Sequence, residues 1–197
     1  MTTGAVTTGA VAVVLAAGAG RRFAGTEHKL LAGWGGRPLL AWALDHACAA
    51  GLDQTWVVTG AVDFEAAGVV PAGVRILVNP RWAEGQATSV QAAIEAATAM
   101  PEIDALVIGL GDQPLVPASA WRSVAQSRGR PIAVATYRGR WRNPVRIDRP
   151  CWPFLASAGD EGARMLMRDR PELVMTVACD GDPADVDTVE DLAALGP

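Results

Sequence analysis

Short apolar runs alternate along this chain with stretches of helical spacing. Residues 11–15, 55–59, 75–78, 105–109, 132–136 and 173–177 read as strands, and two of them, 11–15 and 105–109, carry no polar residue at all, as expected of strands covered on both faces. Between them, Leu39, Leu40, Ala43, Leu44 and Ala47 repeat at the helical period, with Pro38 at the first helical position and Gly51 as the stop. Val90, Ala93, Ile94 and Ala97 mark a second helix at about 88–98, and a third is predicted at about 118–127. A last helix opens at Thr188, with Asp191 three residues on as a capping-box variant, and runs on through 192–195.

Strands alternating with helices specify an α/β fold: one three-layer, Rossmann-like domain over 11–197 with a mainly parallel sheet, preceded by a frayed tail over 1–10. Residues 137–140 read as a turn joining 132–136 to 144–147, a small antiparallel insertion. In open α/β sheets ligands bind beyond the carboxyl ends of the strands. Four polar clusters fall at such ends: the loop after residue 15, residues 79–89, residues 109–114 and residues 185–188.

The loop after the first strand runs Ala16-Ala17-Gly18-Ala19-Gly20-Arg21-Arg22-Phe23, with Lys29 close behind. Glycines there expose backbone N–H groups to an anion, and Arg22 and Lys29 supply counter-charge, so the loop reads as a polyphosphate site. A P-loop would end in Gly-Lys-Ser/Thr, which this loop does not. A dinucleotide fingerprint would need a small residue where Phe23 stands. A plain strand-to-helix turn with surface arginines stays open at this point.

Composition narrows the classes. The chain has 197 residues, half of them hydrophobic, enough for one well-formed core. A net charge of −4 without a basic stripe argues against nucleic acid as a partner. Cys48, Cys151 and Cys179 are too dispersed for a disulfide framework or a zinc site, and Cys48, in an alanine-rich helical pattern, reads as a small buried hydrophobe. His28 and His46 form no ligand cluster, and His46 reads as surface or half-buried. No basic n-region precedes the first apolar run and no run spans a membrane, so a cytoplasmic protein without a membrane partner is expected.

Asp112, flanked by Gly111 and Gln113-Pro114 after an apolar strand, stands where a Mg²⁺-binding carboxylate or an ordinary turn aspartate would sit. Asp187, just before Thr188, is equally a turn residue or a second metal ligand. Asn143 before Pro144 reads as a turn residue or a substrate contact, and Arg164 as a surface ion-pair partner or an anion contact. Trp82 and Trp141 offer stacking surfaces or simple apolar cover.

Taken in order, Leu15-Ala-Ala-Gly-x-Gly-x-Arg22-Phe, Lys29-Leu-Leu, Gly36-Arg-Pro-Leu-Leu40, Asn79-Pro-Arg-Trp82 with Gly85 and Ser89, Gly111-Asp-Gln-Pro114, Asn143-Pro-Val145, Gly159-Asp-Glu-Gly-Ala-Arg164 and Asp187-Thr-x-Glu-Asp191 resemble the MobA-like nucleotidyltransferases, and within them the molybdenum cofactor cytidylyltransferases. The resemblance implies Arg22, Lys29 and Asp112 as catalytic residues. It implies a nucleotide site of Leu15, Ala16, Ala17, Gly18, Ala19, Gly20, Arg22, Lys29, Asn79, Gly85, Ser89 and Asp112, with Asn79 and the 85–89 segment facing base and ribose. Gln113, Asn143, Asp160 and Arg164 would face the acceptor, and Asp112 with Asp187 would hold Mg²⁺.

The implied reaction moves a nucleotidyl group from a nucleoside triphosphate, CTP in preference to GTP, to a molybdopterin-type acceptor. A molybdoenzyme of the oxidoreductase type is an implied partner. The alternatives are another phosphorylated acceptor, a protein that delivers finished cofactor, or a small oxidoreductase on the same fold. Three departures from the pattern stand out: Ala24 after Arg-Phe, His28 before the lysine, and Trp141-Arg142 before Asn143.

Overall fold

A computed structural model describes residues 9–25 and 27–196. Among these residues, nine strands form two sheets: β1 (Ala10–Leu15), β2 (Gly33–Trp34), β3 (Arg37–Pro38), β4 (Gln54–Thr59), β5 (Arg75–Val78), β6 (Ala105–Leu110), β7 (Ile132–Tyr137), β8 (Arg140–Asp148) and β9 (Val174–Ala178). The main sheet has the order β5-β4-β1-β6-β8-β7-β9, while β2 and β3 pair separately as a small antiparallel ribbon. The helices are α1 (Leu39–Ala49), α2 (Gln86–Thr98), α3 (Ala118–Gln126), α4 (Arg164–Asp169) and α5 (Val189–Ala194). Among the described residues, no helix is long and apolar enough to cross a membrane.

The period of two in β1 divides the core. Ala10, Ala12 and Val14 face one cluster with Leu40, Leu44 and Ala47 of α1 and Trp121 and Val124 of α3. Val11, Val13 and Leu15 face the other, with Val90, Ala93 and Ile94 of α2 and Met167 of α4. Burying a side chain such as Leu44 this fully contributes about 2 kcal/mol. Helices on both faces of one sheet give the three layers expected.

Most expected elements appear within a residue or two, and the differences have causes. Pro38 is the N-cap of α1, at φ −56° and ψ 144°, because it still belongs to β3 and pairs with Gly33. Helix α2 begins at Gln86, not near Thr88. Its first amides find partners far away in sequence: Gln86 N–H donates to Asp160 Oδ1 and Ala87 N–H to the Gly159 carbonyl. The last strand starts at Val174 because Pro171 begins a 3-10 turn over Pro171–Leu173.

The antiparallel piece is more than an insertion, since β8 lies inside the sheet, antiparallel to both β6 and β7. Arg138 and Gly139 form the two-residue loop of the β7–β8 hairpin, both at positive φ. Cys48 is exposed, against expectation, because the buried stripe of α1 runs through residues 40, 43, 44 and 47 and passes it by. Of the expected tail, residues 1–8 lie outside the described residues, and Ala10 already belongs to β1.

Candidate active site

Strands β1 and β6 are adjacent and parallel, so the segments leaving their carboxyl ends emerge side by side. Gly111 N–H donates to the Leu15 carbonyl at 2.9 Å, which holds the 111–114 turn against the first glycine loop. A Cβ on Gly111 would come within 3.0 Å of the Leu40 side chain and 3.3 Å of the Leu15 carbonyl, which explains a glycine there. Beyond β9 the chain returns, and Val186 N–H donates to the Asp112 carbonyl at 2.9 Å. That one backbone bond brings Asp187 beside Asp112.

The glycine loop is shaped by its own turn and by a side chain behind it. Gly20 adopts φ +61°, and Phe23 N–H closes a turn onto its carbonyl. His28 Nε2 lies 2.9 Å from the Gly18 carbonyl, while the Leu30 N–H donates to His28 Nδ1 at 3.2 Å. An acceptor role at Nδ1 requires the proton on Nε2, so the neutral ring donates to Gly18 and clasps the loop. Burial favours the same form by pulling the imidazole below its usual value, and the Lys29 charge adds to the effect. His28 was notable in the sequence only as a departure from a pattern.

Lys29 follows on a short turn and bridges the two carboxylates. Its ammonium donates to Asp112 Oδ2 at 2.5 Å and to Asp187 Oδ1 at 3.0 Å, and Arg22 reaches Asp187 Oδ2 at 2.9 Å. Burial works against the Lys29 charge, but the Asp112 and Asp187 carboxylates outweigh it, so its pKa is raised and it stays an ammonium. Asp185, on the same returning segment, is pushed up by burial and by the nearby Asp112 charge, and Gln113 Nε2 donates to it at 2.8 Å. Asp112 Oδ1 is buried with no hydrogen-bond partner among the described residues.

The glycine loop, Arg22, Lys29, Asp112 and Asp187 line a cavity of about 330 Å³. All the expected nucleotide contacts line it except Ala19 and Asn79. Asn79 is 2% exposed and acts from behind: its Nδ2 donates to the Thr88 and Ser89 hydroxyls and its Oδ1 accepts from the Arg81 N–H. It fixes the start of α2, with both polar atoms of its side chain hydrogen-bonded inside the fold. Trp82 and Gln86 join the lining.

A second cavity, of about 510 Å³, adjoins the first, and Gln86 and Asp160 line both. Gln113, Asn143, Asp160 and Arg164 all line it, so the four expected acceptor residues converge although they come from the turn after β6, from β8, from the loop before α4 and from α4 itself. Its floor is apolar, with Val90, Ile108, Val134 and Val145, and Trp141 and Arg142 stand on its wall. Asp160 is shared with structure, since it caps α2 through Gln86 N–H. The 159–160 segment comes so close that a Cβ on Gly85 would meet the Gly159 carbonyl at 2.6 Å.

The arrangement has known counterparts. The family model of the MobA-like NTP transferase domain matches residues 12–174. Nicotine blue oxidoreductase of Paenarthrobacter nicotinovorans is 33% identical over 196 residues, covering 93% of this chain and 94% of that protein. The crystal structure of a Mycobacterium tuberculosis Rv0371c homologue from Mycobacterium sp. strain JC1 superposes with a TM-score of 0.82 at 30% identity over 96% of each chain. That of Rv0371c from M. tuberculosis H37Rv in complex with manganese gives 0.75 at 28% identity, over 94% of this chain and 97% of that one. The family match takes in the glycine loop, Lys29, the 79–89 segment, Asp112, Asn143 and Arg164, leaving only the Asp187 segment beyond its end. The chain belongs to the MobA-like NTP transferase domain family.

Proposed function

We propose that the protein is a divalent-metal-dependent nucleotidyltransferase that moves CMP from CTP, or GMP from GTP, to a phosphorylated acceptor. The observation that carries this reading is the pair of adjoining cavities, one glycine-lined with a lysine between two carboxylates, the other apolar-floored with Asn143 and Arg164 at its wall. Triphosphate lies along the glycine loop, with Arg22 and Lys29 as counter-charge. An acceptor phosphate oxygen attacks the α-phosphorus, the bond from that phosphorus to the bridging oxygen of the β-phosphate breaks, and pyrophosphate leaves with the electron pair.

The residues fit a divalent cation. Asp112 Oδ1 is a buried carboxylate oxygen without a partner, and Asp187 adds a second hard donor beside it. Asp112 and Asp187 would hold Mg²⁺, which when bound supplies neutralisation of the charge on the phosphates. Lys29 is already held as a cation by the same carboxylates, so its charge is in place before substrate arrives. The acceptor favoured by the motifs is molybdopterin carrying molybdenum. An apolar floor with Trp141 suits its flat ring system, and Arg164 suits its phosphate.

Pyrophosphate release is the direct test. Purified protein with Mg²⁺ and CTP or GTP should release pyrophosphate only when a phosphorylated acceptor is added, and molybdopterin should outperform sugar phosphates and alcohol phosphates. Release with no acceptor on the panel would sink the reading.

One observation favours a second reading: the relative similar over almost its whole length is named an oxidoreductase. On that reading the first cavity takes a nicotinamide nucleotide and the second a flat heteroaromatic substrate. Phe23 in place of the small residue of a dinucleotide fingerprint weighs against it. Oxidation of NADH or NADPH with a quinonoid acceptor, alongside absent pyrophosphate release, would select it.

A further inference from the structure

A third cavity, of about 530 Å³, lies at the β7–β8 hairpin and plays no part in the function proposed above. Tyr137, Arg138, Arg140 and Arg142 line one side, and the 181–184 segment closes the other. Among the described residues, the side chains of Arg138 and Arg140 make no hydrogen bond or ion pair, and Arg142 donates only to the Trp141 carbonyl beside it. The lining includes one carboxylate, Asp182, and its Oδ1 already accepts from the Ala184 N–H. Three guanidinium groups therefore face one partly committed carboxylate, on a chain whose net charge is −4.

Two further features single out this place. Tyr137 is 6% exposed, and its hydroxyl is buried with no hydrogen-bond partner among the described residues. Burial raises its pKa, so the phenol keeps its proton and remains a donor. Arg138 sits at φ +51° in the hairpin loop, where asparagine, aspartate or glycine is the economical choice. A bulky cation held in that conformation, at the mouth of a cavity whose one buried hydroxyl lacks an acceptor, is strain that a ligand contact would offset.

We infer that the hairpin cavity is a binding site for a phosphoryl dianion, held by Arg138, Arg140 and Arg142 with the Tyr137 hydroxyl. Guanidinium groups donate in pairs to phosphoryl oxygens, and a phenol adds one more donor. Arg142 lines this cavity and the second one alike, so the two adjoin at that side chain. The dianion has two sources: free inorganic phosphate, or a phosphoryl group on a ligand whose apolar body fills the second cavity. The site stands on its own geometry whether or not the first cavity transfers nucleotides.

The test uses the full chain, ¹⁵N-labelled, titrated with inorganic phosphate and separately with phenyl phosphate at constant ionic strength, following the backbone amides of Arg138, Gly139 and Arg140. Saturable shifts are expected with both probes. Arg138→Asn combined with Arg140→Gln keeps a residue suited to the turn, removes both charges, and should weaken binding about tenfold or more. Tyr137→Phe should weaken it severalfold, while CTP affinity stays within about twofold in all variants. Phenyl phosphate binding more tightly than phosphate by about fivefold or more assigns the site to a ligand shared with the second cavity, and equal affinity assigns it to the free anion. Shifts that do not saturate in the wild type, or that saturate equally in the double variant, overturn the site.

Discussion

The Lys29 ammonium and the Asp112 carboxylate stand 2.5 Å apart although 83 positions separate them in the chain. Asp187 joins the same ammonium from the opposite end of the sequence, so one cation holds two carboxylates that would otherwise repel. Lys29→Ala is therefore expected to act twice. Turnover should fall about a hundredfold or more, the range for loss of one charge-stabilising donor. Stability should fall by about 1–3 kcal/mol, because two partly buried carboxylates lose their shared partner. Steady-state pyrophosphate release and urea unfolding measure the two effects, and unchanged turnover would remove Lys29 from the mechanism.

Asp112 and Asp187 are not equivalent. Asp112 keeps one buried oxygen free, whereas Asp187 has both oxygens engaged, with Lys29 and with Arg22. Asp112→Asn is thus expected to abolish most activity and to raise the Mg²⁺ concentration needed for CTP binding. Asp187→Asn should do the same less strongly. Calorimetric CTP titrations with and without Mg²⁺ give the ranking, and metal dependence intact in Asp112→Asn would reject this ligand.

Arg164 lines the second cavity and not the first. Arg164→Ala should lower kcat/KM for the acceptor while the CTP dissociation constant stays within about threefold, less than 1 kcal/mol. A loss of CTP binding as large as that of Lys29→Ala would place the residue in the wrong cavity. No change in either quantity would leave it a surface arginine.

His28 makes the glycine loop sensitive to pH. Burial and the Lys29 charge lower its pKa from 6.5, so the folded chain binds this proton less readily than the unfolded chain. Its contribution to stability is full above about pH 6.5 and is lost as pH falls from there through the folded value. Protonation also turns Nδ1 into a donor facing the Leu30 N–H, which breaks the clasp. Between pH 7.5 and 5.5, wild type should lose more unfolding free energy and more CTP affinity than His28→Gln. Parallel pH profiles for the two proteins would show that the imidazole is not the sensor.

The sequence by itself determined the layers and the ingredients. The period-two alternation of faces in β1 and the period of 3.6 in α1 are local properties of the chain, and each side chain's face follows from its own backbone. The glycine loop, Lys29, Asp112 and the Thr188–Asp191 capping box were legible for the same reason, since each is written in a few consecutive residues. Only the tertiary structure decided what those ingredients meet. Asn79 looks like a substrate contact in its motif, yet its amide is spent on Thr88 and Ser89 in the interior. Helix α2 starts where residues 159 and 160 come to rest, and His28 gains its role from a carbonyl ten positions away. Hydrogen-bond partners and like charges act over a few ångströms, and distances of that size between remote segments exist only once the sheet has set β1 beside β6 and the returning segment has bonded to Asp112.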